Sequence, residues 1–167
     1  SFRLIRQLIS RIENEETGEI LLSELSCEIP EFRLKEAQKM AAKLNGDAES
    51  FPWYETTSSM APTTVDGLLG RTWKPTLSIV GAGGLPSIEN GGNVLRPYTE
   101  LKLSFRLPPM VDSELAMHAV SKILTVNPPN NASVTIDWDE PANGWSAPQL
   151  SDWLEATIND ASQLFYN

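Results

Sequence analysis

Apolar residues recur along this chain with two periods, and the changes of period mark out its elements. Phe2, Ile5, Leu8, Ile9 and Ile12 fall at helical spacing, while Arg3, Arg6, Gln7, Ser10 and Arg11 fill the opposite face. This predicts a first helix within residues 1–14, stopped by the turn chemistry of Glu15-Glu16-Thr17-Gly18. Pro30 suits the first turn of a second helix. Its stripe is Leu34, Ala37, Ala41 and Leu44, and its exit is Asn45-Gly46. From Asp47 to Thr64 the pattern dissolves into Ser, Thr, Pro and aromatics, with a short helix predicted near Val65–Leu69. Residues 30–72 therefore read as an inserted helical and irregular segment.

Period two then takes over. Leu77 and Ile79 share one face of a strand over Thr76–Val80. Leu101, Leu103, Phe105 and Leu107 share one face of a second, with Glu100, Lys102, Ser104 and Arg106 on the other. Pro108-Pro109 ends that strand because neither residue can donate to a ladder. Asp112 or Ser113 caps a helix whose stripe is Ala116, Ala119, Val120, Ile123 and Leu124. Val134, Ile136 and Trp138 predict a third strand, so residues 73–140 read strand, strand, helix, strand. A last helix over 146–166 is predicted from a capping box, Ser146-Ala147-Pro148-Gln149, and the stripe Leu150, Trp153, Leu154, Ile158, Ala161 and Phe165. Half-buried antiparallel strands with helices on one face make an α+β sandwich. The order β-β-α-β after a helix points to a ferredoxin-like two-layer fold whose first strand is expected upstream of Ser1.

Composition narrows the chemistry. The 167 residues suit one domain with a core of its own. The net charge of −9 disfavours nucleic acid as a partner, since such binders present a basic face. No apolar run is long enough to span a bilayer, so no membrane partner is expected. Cys27 is the single cysteine, which rules out an intrachain disulfide and suggests a reducing, cytoplasmic setting. With one histidine, His118, and one cysteine, the sequence cannot easily assemble a hydrolytic zinc site or a Cys-His pair. His118 shares a helix face with Glu114, Ser121 and Lys122, together with Ser113, and reads as solvent-facing. Asp137, Asp139 and Glu140 read as a surface cluster without convergent oxygens.

Two features remain. The stretch GAGGLPSIENGGN, residues 81–93, holds Gly81, Gly83, Gly84, Gly91 and Gly92, half of the chain's ten glycines. Gly81-x-Gly83 begins like a dinucleotide fingerprint, but Pro86 stands where a third Gly or Ala is required and no helix opens there. The stretch reads instead as a connection between neighbouring strands, far longer than the usual 2–5 residues of a hairpin loop, and such loops tend to carry function. Glycines would let its backbone take positive φ and approach another surface closely. Arg106 is the other feature. It faces away from the apolar layer as either an ordinary solvated charge or a recognition group for a carboxylate.

The run Trp73 to Pro109 resembles a family pattern. Trp-Lys-Pro-Thr-Leu-Ser-Ile-Val-Gly-Ala-Gly-Gly, then Asn93-Val94-Leu95-Arg96-Pro97, then Leu103-Ser104-Phe105-Arg106-Leu107-Pro108-Pro109, is similar to the dimerisation (lid) domain of the two-zinc exopeptidases. That family includes carnosinase, cytosolic non-specific dipeptidase, aminoacylase and carboxypeptidase G. The match is closest over the strand-loop-strand region, and the insertion before Trp73 leans towards the dipeptidase-like branch. Asn93 replaces the usual Thr or Ser, and Arg96-Pro97 shifts the expected Pro by one residue. The resemblance implies that residues 1–167 are a lid domain, with the last helix leading back to a separate catalytic zinc domain of the same polypeptide. It implies no metal or catalytic residue in the lid itself and two zinc ions in the parent enzyme. It further implies a homodimer through paired lids, and a small peptide or N-acyl amino acid as substrate. Arg106 would bind the substrate carboxylate, and Asn93 would hold the scissile group, both in the partner's active site. The competing expectation is a free-standing ferredoxin-like module that binds a small ligand or regulates. An RNA-binding version would need exposed aromatics on the polar strand face, where Glu100, Lys102, Ser104 and Arg106 stand instead.

Overall fold

In the computed structural model, residues 1–44 and 51–166 are described, so the Asn45-Gly46 exit lies outside them. Helix α1 spans Phe2–Ile9 and turns at Ser10–Ile12, shorter than the pattern to Asn14 predicts. The stripe survives the shortening because Ile12 is fully buried just beyond the helix end. Asn14 Oδ1 accepts from the Glu16 and Thr17 amides, Gly18 takes a φ of 71°, and Glu13 bridges to Ile20. The expected turn is thus built by side-chain capture of the backbone.

Helix α2 covers Glu31–Leu44, with its first amides bonded to the Pro30 carbonyl. Helix α3 covers Thr64–Thr72, a turn longer than expected at its C-terminal end. Thr63 caps it by accepting from the Asp66 amide. The Thr63 hydroxyl bonds back to the Asp66 carboxylate, and this bond, together with Lys74 3.5 Å away, lowers the Asp66 pKa below its ordinary 3.8. Strands β1, Thr76–Gly83, and β2, Glu100–Arg106, pair antiparallel, with a bulge between Ile79 and Gly81. The bulge lets β1 run three residues past its predicted end at Val80.

Helix α4, Ser113–Thr125, starts at Asp112, whose Oδ1 accepts from the Glu114 and Leu115 amides. Ala116, Val120 and Leu124 are buried, and His118 is exposed. Ser113, grouped by pattern with His118 on the solvent side, is buried instead. Its amide is taken by Asn143 Oδ1 at 2.8 Å. The far end of α4 is closed by Arg11, which donates to the carbonyls of Ile123, Val126 and Asn127 at 2.7–3.0 Å. A guanidinium among the free carbonyls of a helix C-terminus satisfies acceptors and complements the helix dipole.

Two expectations change. Residues 133–139 form no ladder, so the sheet has two strands among the described residues. The alternation itself is present: Val134 and Ile136 pack on the core while Ser133, Thr135 and Asp137 are exposed. Period two reports which face a side chain takes, and a ladder needs a neighbouring strand as well. The last helix, α5, begins at Asp152 and runs to Tyr166, so the Ser146–Gln149 capping box does not form. Pro148 disfavours helical backbone at Ala147, whose carbonyl is held by Arg33 at 2.6 Å.

The core lies where α1, the 3₁₀ turn at Ser23–Leu25 and α4 meet. Leu8, Ile12, Ile20, Leu25, Val111, Ala116, Val120 and Leu124 form it, with Leu77, Phe105 and Leu107 of the strand layer packed on it. The chain is α+β; the described residues form a two-stranded antiparallel sheet with five α-helices, compatible with a ferredoxin-like sandwich.

Candidate functional site

The hairpin positions every residue that the sequence singles out. Its register pairs Thr76 with Arg106 at one end and Gly83 with Glu100 at the other. The loop 84–99 therefore leaves from the end opposite Arg106. A ladder of this length spans about 20 Å at roughly 3.4 Å per residue. The structure thus sets Arg106 at the end of the ladder away from the loop that carries Asn93 and does not bring the two together. Both are exposed, and the Arg106 guanidinium has no hydrogen bond or ion pair among the described residues.

The glycines divide by what surrounds them. Gly84 has a φ of 74°, and a Cβ there would stand 2.6 Å from the Tyr98 carbonyl oxygen, so the loop leaves β1 by a turn that only glycine makes comfortably. A Cβ at Gly83 would overlap the carboxylate end of the Glu100 side chain, and one at Gly81 would meet Lys102 Cβ at 3.3 Å. Gly91 follows a short 3₁₀ turn, Ile88–Asn90, with φ −66°, and Gly92 faces open space. The expectation of positive φ across the cluster is thus met at Gly84 alone of the five.

Beyond Gly84 the loop is held locally. Asn90 Nδ2 donates to Ser87 Oγ at 2.9 Å, and the Asn90 amide donates to the Ser87 carbonyl. Glu89 accepts from its own backbone amide and from Ser87, which lowers its pKa below the ordinary 4.5. The apolar side chains beside this turn have no cover: Ile88 is 96% and Leu95 100% exposed.

A second arrangement escaped the sequence reading. Asn143 holds the start of α4, and Gly144 lies so close to Pro109 that a Cβ would come within 2.6 Å of its Cα. Trp145 follows directly and is 77% exposed. A large indole is thereby presented from a segment pinned to the corner just after β2. The Asn-Gly pair was the available signal, since it marks a turn.

Two open grooves flank these features. One, of about 330 Å³, is apolar and is lined by Phe2, Ile5, Ile9, Ile79, Ala82 and Leu101. The other, of about 390 Å³, lies between α2 and α5 and includes Phe32, Lys35, Glu36, Lys39, Glu155 and Ile158. Neither includes Asn93 or Arg106. Among the described residues no three His, Cys, Asp or Glu side chains converge as metal ligands, so these residues do not fit the zinc pair that the resemblance implies for the parent enzyme. No described helix is long and apolar enough to cross a membrane.

No family model matches the chain, and no curated protein matches it. Solved structures share its fold. The dipeptidase Dug1p of Saccharomyces cerevisiae aligns at 23% identity and a TM-score of 0.56, over 77% of this chain and 28% of its own. The metallo-carboxypeptidase Sso-CP2 of Sulfolobus solfataricus, described as of the M20 family, aligns at 15% identity and a TM-score of 0.67, over 99% of this chain and 37% of its own. Human carnosine dipeptidase 1 aligns at 16% identity and a TM-score of 0.65, over 99% and 36%. The alignments thus cover about 28–37% of the length of those proteins, and this chain has the fold of one part of them.

Proposed function

We propose that this chain is the lid and dimerisation domain of a zinc-dependent peptidase or N-acyl-amino-acid amidohydrolase. It supplies substrate contacts in trans and is catalytically silent alone. The observation that carries this reading is the loop 84–99. It leaves β1 through a turn specific to Gly84, and it holds Ile88 and Leu95 uncovered on either side of Asn93. Exposed apolar side chains on a long loop are costly unless another surface covers them. The fold shared with metallo-dipeptidases and a metallo-carboxypeptidase supports the choice of parent. The outer edge of β1, which has no strand partner among the described residues, supports pairing of two lids.

The chemistry follows from the residue types. The planar Arg106 guanidinium donates two parallel hydrogen bonds to a substrate carboxylate and fixes that end of the molecule. The Asn93 amide donates to the scissile carbonyl oxygen as charge develops there, and this is worth most when the closed site excludes water. Zinc bound by a separate catalytic domain, not by residues of this chain, would supply activated water. Orientation by the lid contributes to rate only with that domain present.

The test uses the full-length enzyme with zinc on dipeptides or N-acyl amino acids. Arg106→Ala should lower kcat/KM by about 10–100-fold, chiefly through productive binding, as expected for one lost charge-assisted contact. Unchanged kinetics would remove Arg106 from the site. Turnover by residues 1–167 alone would overturn the division of labour.

A further inference from the structure

We infer that Asn90 is a site of spontaneous modification. Its side-chain amide is lost by attack of the Gly91 nitrogen, and the loop acquires an aspartate or isoaspartate there. This chemistry is independent of the peptidase reading.

Water is the only co-reactant. The Gly91 amide nitrogen gives up its proton to solvent and attacks Asn90 Cγ. The new N–Cγ bond forms, the Cγ–Nδ2 bond breaks, and the departing nitrogen takes a proton from solvent and leaves as ammonia. Water then opens the cyclic imide. Cleavage of its bond to Cγ returns a normal aspartate. Cleavage at the main-chain carbonyl of Asn90 instead routes the chain through the side chain, as isoaspartate. Nothing is oxidised or reduced. Glycine favours the attack because no Cβ shields its nitrogen.

Two Asn-Gly pairs lie among the described residues, and the fold treats them differently. Asn90 ends the three-residue 3₁₀ turn Ile88–Asn90, and both it and Gly91 are exposed. The Asn90 side chain is held by one exposed bond, from Nδ2 to Ser87 Oγ at 2.9 Å. The Gly91 amide donates to the Ile88 carbonyl at 3.2 Å. Hydrogen bonds in short 3₁₀ turns are poorly aligned, and with Ile88 itself 96% exposed little packing opposes opening. Asn143 is the opposite case. Its Oδ1 accepts from the amide of Ser113, which is buried at the start of α4. Turning that side chain towards Gly144 would strand a buried donor. Gly144 is also set close against Pro109, which leaves its backbone little room to move.

Modification at Asn90 removes the donor to Ser87 and adds a carboxylate beside Glu89. The isoaspartate form also inserts a methylene into the main chain shortly before Asn93, which unseats the turn.

Incubating the full-length polypeptide at mildly alkaline pH tests this. Mass spectrometry follows each Asn-Gly peptide, and enzymatic methyl transfer detects isoaspartate. Asn90 should convert about tenfold or more faster than Asn143, the margin expected from the bond that Asn143 must break. The two rates should converge in denaturant. Gly91→Ala should abolish most of the conversion at Asn90. An intact Asn90, or equal rates at the two sites in the folded protein, would overturn the proposal. So would undiminished conversion in Gly91→Ala, since the attack would then not depend on an unshielded nitrogen.

Discussion

Helices α4 and α5 differ little in length, and both present an apolar stripe at helical spacing, yet the fold treats them oppositely. In α4 the residues Ala116, Val120 and Leu124 are buried under the strands and α1. In α5 no residue is buried: Trp153 is 70% exposed and Phe165 73%. A stripe records which face a helix must cover. It does not record whether the cover lies in the same folded unit. The same contrast separates the strand face of Leu77 and Phe105, which is packed, from Ile88 and Leu95 on the loop, which are not. Uncovered apolar side chains occur on α5 and the long loop, and on other exposed parts of the chain such as Leu21, Met60 and Trp145 as well.

The contrast is sharpened most by truncating each stripe. Leu124→Ala removes a side chain that is 8% exposed and should cost about 2–5 kcal/mol in chemical denaturation, as large-to-small core changes do. Ile158→Ala, at a site 49% exposed, should fall within about 0.5 kcal/mol for residues 1–167. Equal losses would show that α5 is packed in solution.

Gly84→Ala comes next. The positive φ and the Tyr98 carbonyl 2.6 Å from any added Cβ should together cost about 1–3 kcal/mol, read as a shifted denaturation midpoint. Gly92→Ala, with nothing within 4 Å, should be nearly neutral. A reversed ranking would mean that the loop leaves β1 by a different turn.

The smallest effect concerns the margin of the core. Burial raises the pKa of Glu13 above its ordinary 4.5, so folding disfavours its ionised form. The folded state then binds the proton more tightly than the unfolded chain. This contribution to stability is lost as pH rises through the window between the ordinary and the raised pKa. Glu13→Gln should therefore gain thermal stability relative to the unsubstituted chain on going from acid to neutral pH. A difference in Tm that stays constant with pH would show that the carboxyl is fully solvated.

Much of the fold was legible in order and type. The stripe of α4, its Asp112 cap, the alternation of β2 and the turn after Ile12 all follow from rules acting within a few residues. The misses share another cause. The strand expected at Val134–Trp138 has its alternation without a ladder, and the box at Ser146 lost to Pro148 and to the bond from Arg33. Arg11 looked like a polar-face residue of α1, yet it closes the far end of α4. For the candidate site, Arg106 and Asn93 stood out by type and motif, whereas Trp145 did not, because its presentation depends on Gly144 meeting Pro109.

By itself the sequence determined most helices, the β1–β2 strands, most inward faces and the turn after Ile12, because propensity, capping and periodicity are local. Tertiary structure alone decided which stripes found cover, which edge stayed unpaired and which glycine was sterically required. Those outcomes depend on groups distant along the chain meeting in space, and no local pattern encodes the meeting.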